Sequence, residues 1–196
     1  MSSPPSLDRV LTVPNILSAA RFLLALVFFA AIERQAWGAS LWLFLVAAST
    51  DWVDGWWARR FNQVSRLGRI FDPLVDKVIV CGGFILLAAR DGSSAILPWM
   101  AVVVVVRELV VTAVRAEMER IGHDFSAGFS GKFKMVLQCA AIGFELAVRA
   151  WPDANLGGIG VWQAAVFCSW AAVATTFYSG VEYLFTAGRM LAAAKR

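Results

Sequence analysis

The chain has 196 residues, of which 59% are hydrophobic and only 16% charged, and its mean hydropathy is +0.66. A soluble domain of this length turns much of its surface to water and could not hide so much apolar side chain, while a disordered chain would be polar. What remains is an integral membrane protein, in which a net charge of +4 reads as a surplus of cytoplasmic-loop cations and not as a nucleic-acid surface.

A spanning helix needs about 20 mostly apolar residues, so the chain has room for six with short loops. Residues 1–14 read as a Pro-rich cytosolic or interfacial segment without a signal-peptide core, and residues 15–196 as one membrane domain. The first expected span covers 15–32 and is interrupted only by Arg21. The second, 39–58, contains Asp51 and Asp54, and a loop with Arg59, Arg60, Arg66 and Arg69 follows. The third, 72–89, opens on Asp72, Asp76 and Lys77. A turn at 90–94 leads to the fourth, 95–114, which carries Arg107 and Glu108 late in its run. A polar loop over 115–134 precedes the fifth span, 135–148. Pro152 and Gly157-Gly158 break the chain before a long sixth span, 159–185. The apolar runs are continuous and do not alternate, which excludes a β-barrel. The expected fold class is therefore all-α, a bundle of six transmembrane helices. Cys81, Cys139 and Cys168 sit in apolar runs without metal or redox spacing and read as small hydrophobes. His123 is the single histidine and has no partner pattern.

Lys and Arg asymmetry sets the orientation. With the N-terminus inside and six spans threaded, 15 of the 18 basic residues fall on the cytosolic side, and only Arg34, Arg90 and Arg149 fall outside. That split puts both termini in the cytoplasm.

Ionised side chains inside spans cost several kcal/mol and by default mark function. Asp51 and Asp54 are three apart and share one helix face; Asp72 and Asp76 are four apart and share another. A short loop joins their helices, so the two pairs are expected to meet at the cytoplasmic end. Four converging carboxylates repel unless cations hold them together. Hard divalent ions, Mg²⁺ or Mn²⁺, suit such oxygen donors, and two of them can grip a diphosphate. The competing reading is a set of helix-end salt bridges to Arg59, Arg60, Arg66, Arg69 and Lys77.

The full string is Asp51-x-x-Asp54-Gly55-x-x-Ala58-Arg59, eight residues, then Gly68-x-x-x-Asp72-x-x-x-Asp76. It resembles the signature of the CDP-alcohol phosphotransferase family at all eight fixed positions. The resemblance implies a six-span enzyme that transfers the phosphatidyl group of a CDP-linked donor to an alcohol and releases CMP. It implies two divalent ions on Asp51, Asp54, Asp72 and Asp76, with Asp76 also the base that takes the acceptor's hydroxyl proton. Gly55 and Ala58 would let the nucleotide lie against the helix, Arg59 would clamp the diphosphate, and Gly68 would permit close approach. Asn15, in a Pro14-Asn15-x-x-Ser18-x-x-Arg21 opening similar to the family's, would help hold the donor. Homodimerisation is implied by the family alone.

Arg69, Arg107, Arg115, Lys132 and Lys134 are expected at the cytosolic level of the carboxylates, where they suit an acceptor carrying its own phosphate. The Arg107-Glu108-x(6)-Arg115 and Gly131-Lys132-x-Lys134-x-x-x-Gln138 patterns resemble those of the family's bacterial phosphatidylglycerophosphate synthase branch, whose acceptor is glycerol 3-phosphate. Met135 departs from that branch, which usually has Thr. A structural Glu108–Arg115 network is the alternative use of these groups. The resulting expectation is an enzyme of the bacterial inner membrane with a cytoplasmic site, taking CDP-diacylglycerol and glycerol 3-phosphate. The other readings are inositol phosphate or phosphatidylglycerol as acceptor, a divalent-cation transporter, or a scaffold. A transporter would show polar residues through the whole depth of the membrane or paired broken helices.

Overall fold

The computed structural model describes residues 13–61, 66–90, 93–121 and 129–194, with side chains described over 18–50, 74–90, 93–121 and most of 131–190. Six helices carry the chain: α1 Val13–Glu33, α2 Trp37–Phe61, α3 Arg66–Ala88, α4 Pro98–Arg120, α5 Phe129–Ala150 and α6 Val161–Ala194. The shortest has 21 residues, which at 1.5 Å per residue is about 31 Å, enough for the hydrocarbon core of a bilayer. Within α6, Val161–Met190 is long and apolar enough to span by composition alone.

Each helix extends beyond its expected span at one end or both, although α3 stops one residue short at its C-terminus and α4 and α6 begin two or three residues late. Arg66 to Phe71 are already helical, and α4 continues through Glu117 and Arg120. An apolar run reports the depth of hydrocarbon, whereas a helix continues into water wherever its exposed positions tolerate charge. Glu117 and Arg120 support that last turn. They pair at 2.7 Å across i,i+3, and this holds the Glu117 carboxyl below its usual range.

The chain divides into two compact units, residues 1–82 and 83–196. In the first, α1 packs on α2. Ala25, Phe28 and Ile32 line one stripe of α1 and are fully buried, as are Phe44 and Ala47 of α2 to within 2%. The rings of Phe28 and Phe44 lie 5.6 Å apart. α1 ends in a Schellman motif, with Gln35 N–H on the Ile32 carbonyl and Ala36 N–H on that of Ala31. Gln35 occupies the left-handed position (φ 55°) that glycine usually fills, at a cost of about 1 kcal/mol.

In the second unit α6 packs on both α4 and α5. Val111 and Met118 of α4 meet Tyr183 and Ala187 of α6 in one buried cluster. Pro98 opens α4, where its missing N–H costs nothing. Between α5 and α6 a two-residue ladder, β1 (Asn155–Leu156) with β2 (Ile159–Gly160), turns through Gly157 and Gly158, both at positive φ.

The described surface is inverted relative to a soluble protein. Leu23, Trp42, Leu109, Phe167, Phe177 and Phe185 are exposed, while Arg21, Glu108, Lys134, Gln138, Glu145 and Thr176 are buried. Such a belt of exposed large apolar side chains is what a lipid-facing exterior requires.

Candidate functional site

The aspartates sit on helices at the spacing the sequence implies. Asp51 and Asp54 lie on α2 and share one face; Asp72 and Asp76 lie on α3 and share another. Gly55, Ala58 and Arg59 follow on α2, Gly68 and Arg69 precede on α3, and Asn15 lies in the first turn of α1. The side chains of Asn15, Asp51, Asp54, Gly55, Ala58, Arg59, Gly68, Arg69 and Asp72 lie outside the described residues. Asp76 is described. Its side chain keeps 23% of its exposure, and its Oδ1 accepts a 2.9 Å charged hydrogen bond from Arg21 Nη1.

Arg21 has no assigned role in the sequence reading, where it interrupts the first span and closes the family-like opening motif. In the fold its side chain is 2% exposed, so a guanidinium inside the first helix is compensated by a carboxylate on the third. Each removes the cost of burying the other. The signal available in the sequence was the cationic side chain in an apolar run, which by default calls for an intramembrane partner.

Of the cations expected to meet an acceptor, Arg69 falls in the first unit and Arg107, Arg115, Lys132 and Lys134 in the second. Arg107 and Glu108 project from α4 and Lys134 from α5. Arg107 Nη1 donates to Glu108 Oε1 at 3.2 Å, and Lys134 Nζ donates to the same oxygen. Glu108 and Lys134 are buried. Arg107 Nη2 reaches across to Ser179 Oγ of α6 at 3.1 Å. One turn beyond Lys134, Gln138 donates to Thr176 Oγ1 at 3.0 Å. The expected alternative Glu108–Arg115 pair does not form: Glu108 takes Arg107 and Lys134. Arg115 stands two turns further along α4, half-buried, with its Nε lacking a hydrogen-bond partner. Lys132 is exposed on α5. Sequence reasoning passed over Ser179, because a serine inside a long apolar helix carries no pattern of its own.

A donor set made of carboxylate oxygens fits a hard divalent cation and does not fit a soft one. Among the described residues no group of three metal-ligating side chains occurs, and three of the four aspartates lie outside them.

An all-α membrane protein with paired aspartates on two successive helices and, on the next two, a cation cluster around the buried Glu108 defines the class. The chain belongs to the CDP-alcohol phosphatidyltransferase family, whose profile matches residues 11–178, and it is a transferase of that family. Relatives named CDP-diacylglycerol–glycerol-3-phosphate 3-phosphatidyltransferase align over most of its length. The Bacillus subtilis protein is 35% identical, covering 72% of this chain and 69% of its own. The Sodalis glossinidius protein is 38% identical over 74% and 76%. The Escherichia coli K12 protein is 31% identical over 93% and 94%. Family members generally use divalent metal ions.

Proposed function

We propose that this protein transfers the phosphatidyl group of CDP-diacylglycerol to glycerol 3-phosphate, giving phosphatidylglycerophosphate and CMP. The observation that carries the choice of acceptor is the pair Arg107 and Lys134 gathered on the buried Glu108, cations of the kind an acceptor phosphate requires. The names of the aligned relatives support the same reaction.

Asp51, Asp54, Asp72 and Asp76 would hold two Mg²⁺ or Mn²⁺ ions, which when bound supply charge neutralisation for the diphosphate and the leaving CMP. Asn15, Asp54, Gly55, Ala58, Arg59 and Gly68 receive the CDP part of the donor. Gly55 and Ala58 leave a shallow helix face for the nucleotide, and Arg59 offers a bidentate fork to phosphate oxygens. Asp76 takes the proton from the acceptor hydroxyl as that oxygen attacks the phosphorus next to the diacylglycerol. Arg21 keeps the Asp76 carboxylate oriented. Arg69, Arg107, Arg115, Lys132 and Lys134 attract and hold the acceptor's phosphate. The protein lies in the bacterial inner membrane with both termini and the site on the cytoplasmic side, because 15 of 18 basic residues fall there. It works as a homodimer.

The test is CMP release by purified protein from CDP-diacylglycerol across a panel of acceptors. Glycerol 3-phosphate should support Mg²⁺- or Mn²⁺-dependent release. Release with inositol phosphate or phosphatidylglycerol alone would change the acceptor, and no release with any acceptor would overturn the reading. Asp76→Asn should lower kcat by about 10²–10⁴-fold, the usual worth of a positioned base; turnover at the normal rate would remove Asp76 from that role.

A further inference from the structure

Glu108 and Ser179, which the transfer reaction as described does not use, form a connected set with Arg107 and Lys134 in the second unit. Glu108 is 7% exposed and sits between two cations from different helices, Arg107 of its own helix and Lys134 of α5. Ser179 of α6 is 3% exposed. Its hydroxyl donates to the Thr176 carbonyl at 3.1 Å, which turns a lone pair toward Arg107 Nη2, also at 3.1 Å. Beside it Gly180 leaves room for the arginine stem: a Cβ there would lie 3.1 Å from Arg107 Cγ.

Two cations brought together without a counter-charge repel and swing apart. Glu108 prevents this and gives both a common anchor. The set leaves hydrogen-bond donors open, however. Arg115 adds a further cation two turns along α4, and the Nε atoms of Arg107 and Arg115 are buried with no hydrogen-bond partner. Unpartnered buried donors are expensive unless a ligand takes them.

We propose that Glu108 and Ser179 are positioning residues for the acceptor: Glu108 holds Arg107 and Lys134 side by side, and Ser179 fixes the far end of the guanidinium, so that a phosphate monoester meets cations already in place. This rests on the reading that Arg107 and Lys134 meet the acceptor's phosphate. Preorganisation of this kind lowers the cost of binding without touching the reacting atoms. It therefore acts on the acceptor's KM and leaves kcat and the donor's KM alone.

The experiment compares full-length wild type with Glu108→Gln, Ser179→Ala, Arg107→Gln and Lys134→Gln, measuring kcat and the KM of each substrate separately. Glu108→Gln keeps the size and loses the charge; its KM for glycerol 3-phosphate should rise about tenfold, the worth of one charged hydrogen bond. Ser179→Ala should raise it about threefold. Both variants should keep kcat and the KM for CDP-diacylglycerol within about twofold of wild type. A merely structural role would lower the active fraction and kcat with both KM values unchanged, and that result overturns the proposal. So does a fall in acceptor KM, which would make Glu108 a competitor of the phosphate. If Glu108→Gln does not fold, Ser179→Ala decides, and an unchanged acceptor KM there is fatal. If Arg107→Gln and Lys134→Gln raise the acceptor KM while Glu108→Gln and Ser179→Ala do not, positioning alone fails. If none of the four raises it, the acceptor site itself fails and the positioning role with it.

Discussion

α5 carries a buried carboxylate cluster at each end, and the two are built differently. Near its C-terminus Glu145 is fully buried and fully occupied. Its Oε1 accepts from Ser94 Oγ and from Arg149 Nε, both at 2.8 Å, and its Oε2 accepts from the Ala95 backbone N–H at 3.0 Å. One carboxylate faces one guanidinium, backbone and hydroxyl donors complete the set, and the chain before α4 is stapled to α5. About 16 Å away along the helix axis, the Lys134 end joins one carboxylate to two cations and leaves buried donors open. A buried charge whose partners balance it is a fastening. A charged cluster that leaves buried donors open is suited to receive a ligand of opposite sign, which would complete it.

Substitutions can break this contrast. The largest expected effect is Glu145→Ala, which takes the carboxylate partner from the Arg149 guanidinium and should cost about 3–5 kcal/mol of stability. Thermal or denaturant unfolding in detergent measures the loss, and the folded fraction should keep both KM values. Next comes Lys134→Gln, with the opposite signature: an acceptor KM raised about tenfold or more and a smaller change in stability. If Glu145→Ala raised the acceptor KM, or Lys134→Gln changed stability alone, the two ends would not differ as described. Ser94→Ala removes one neutral donor from Glu145 and should cost about 1 kcal/mol, read by the same unfolding experiment.

The smallest effect belongs to the exposed pair Glu117–Arg120. Arg120 holds the Glu117 carboxyl below its usual range through a hydrogen bond. A lowered folded-state pKa gives stability that is present above the unfolded value and lost as pH falls through the folded one. Because both groups stand in water, Arg120→Ala should leave neither unfolding nor KM measurably changed. A clear shift in either would give the surface pair a role that neither end of α5 predicts.

Much of this was legible before any fold was known. Composition decided the membrane class, since no soluble surface could absorb 59% hydrophobic residues. Continuous apolar runs located six helices. The spacing of Asp51, Asp54, Asp72 and Asp76 put each pair on one face, because helical periodicity is a local property written along the chain. Which residues partner across helices was not legible. Arg21 meets Asp76 across 55 positions, Glu108 takes Lys134 and not Arg115, and Arg107 finds Ser179 across 72 positions. Such pairings depend on which faces of separate helices pack together, and an apolar helix surface carries little sequence pattern to say which. The charged 16% could be found by reading the chain. Its division into fastenings and receptors came only with the packing, because it rests on which donors and carboxylates meet in space.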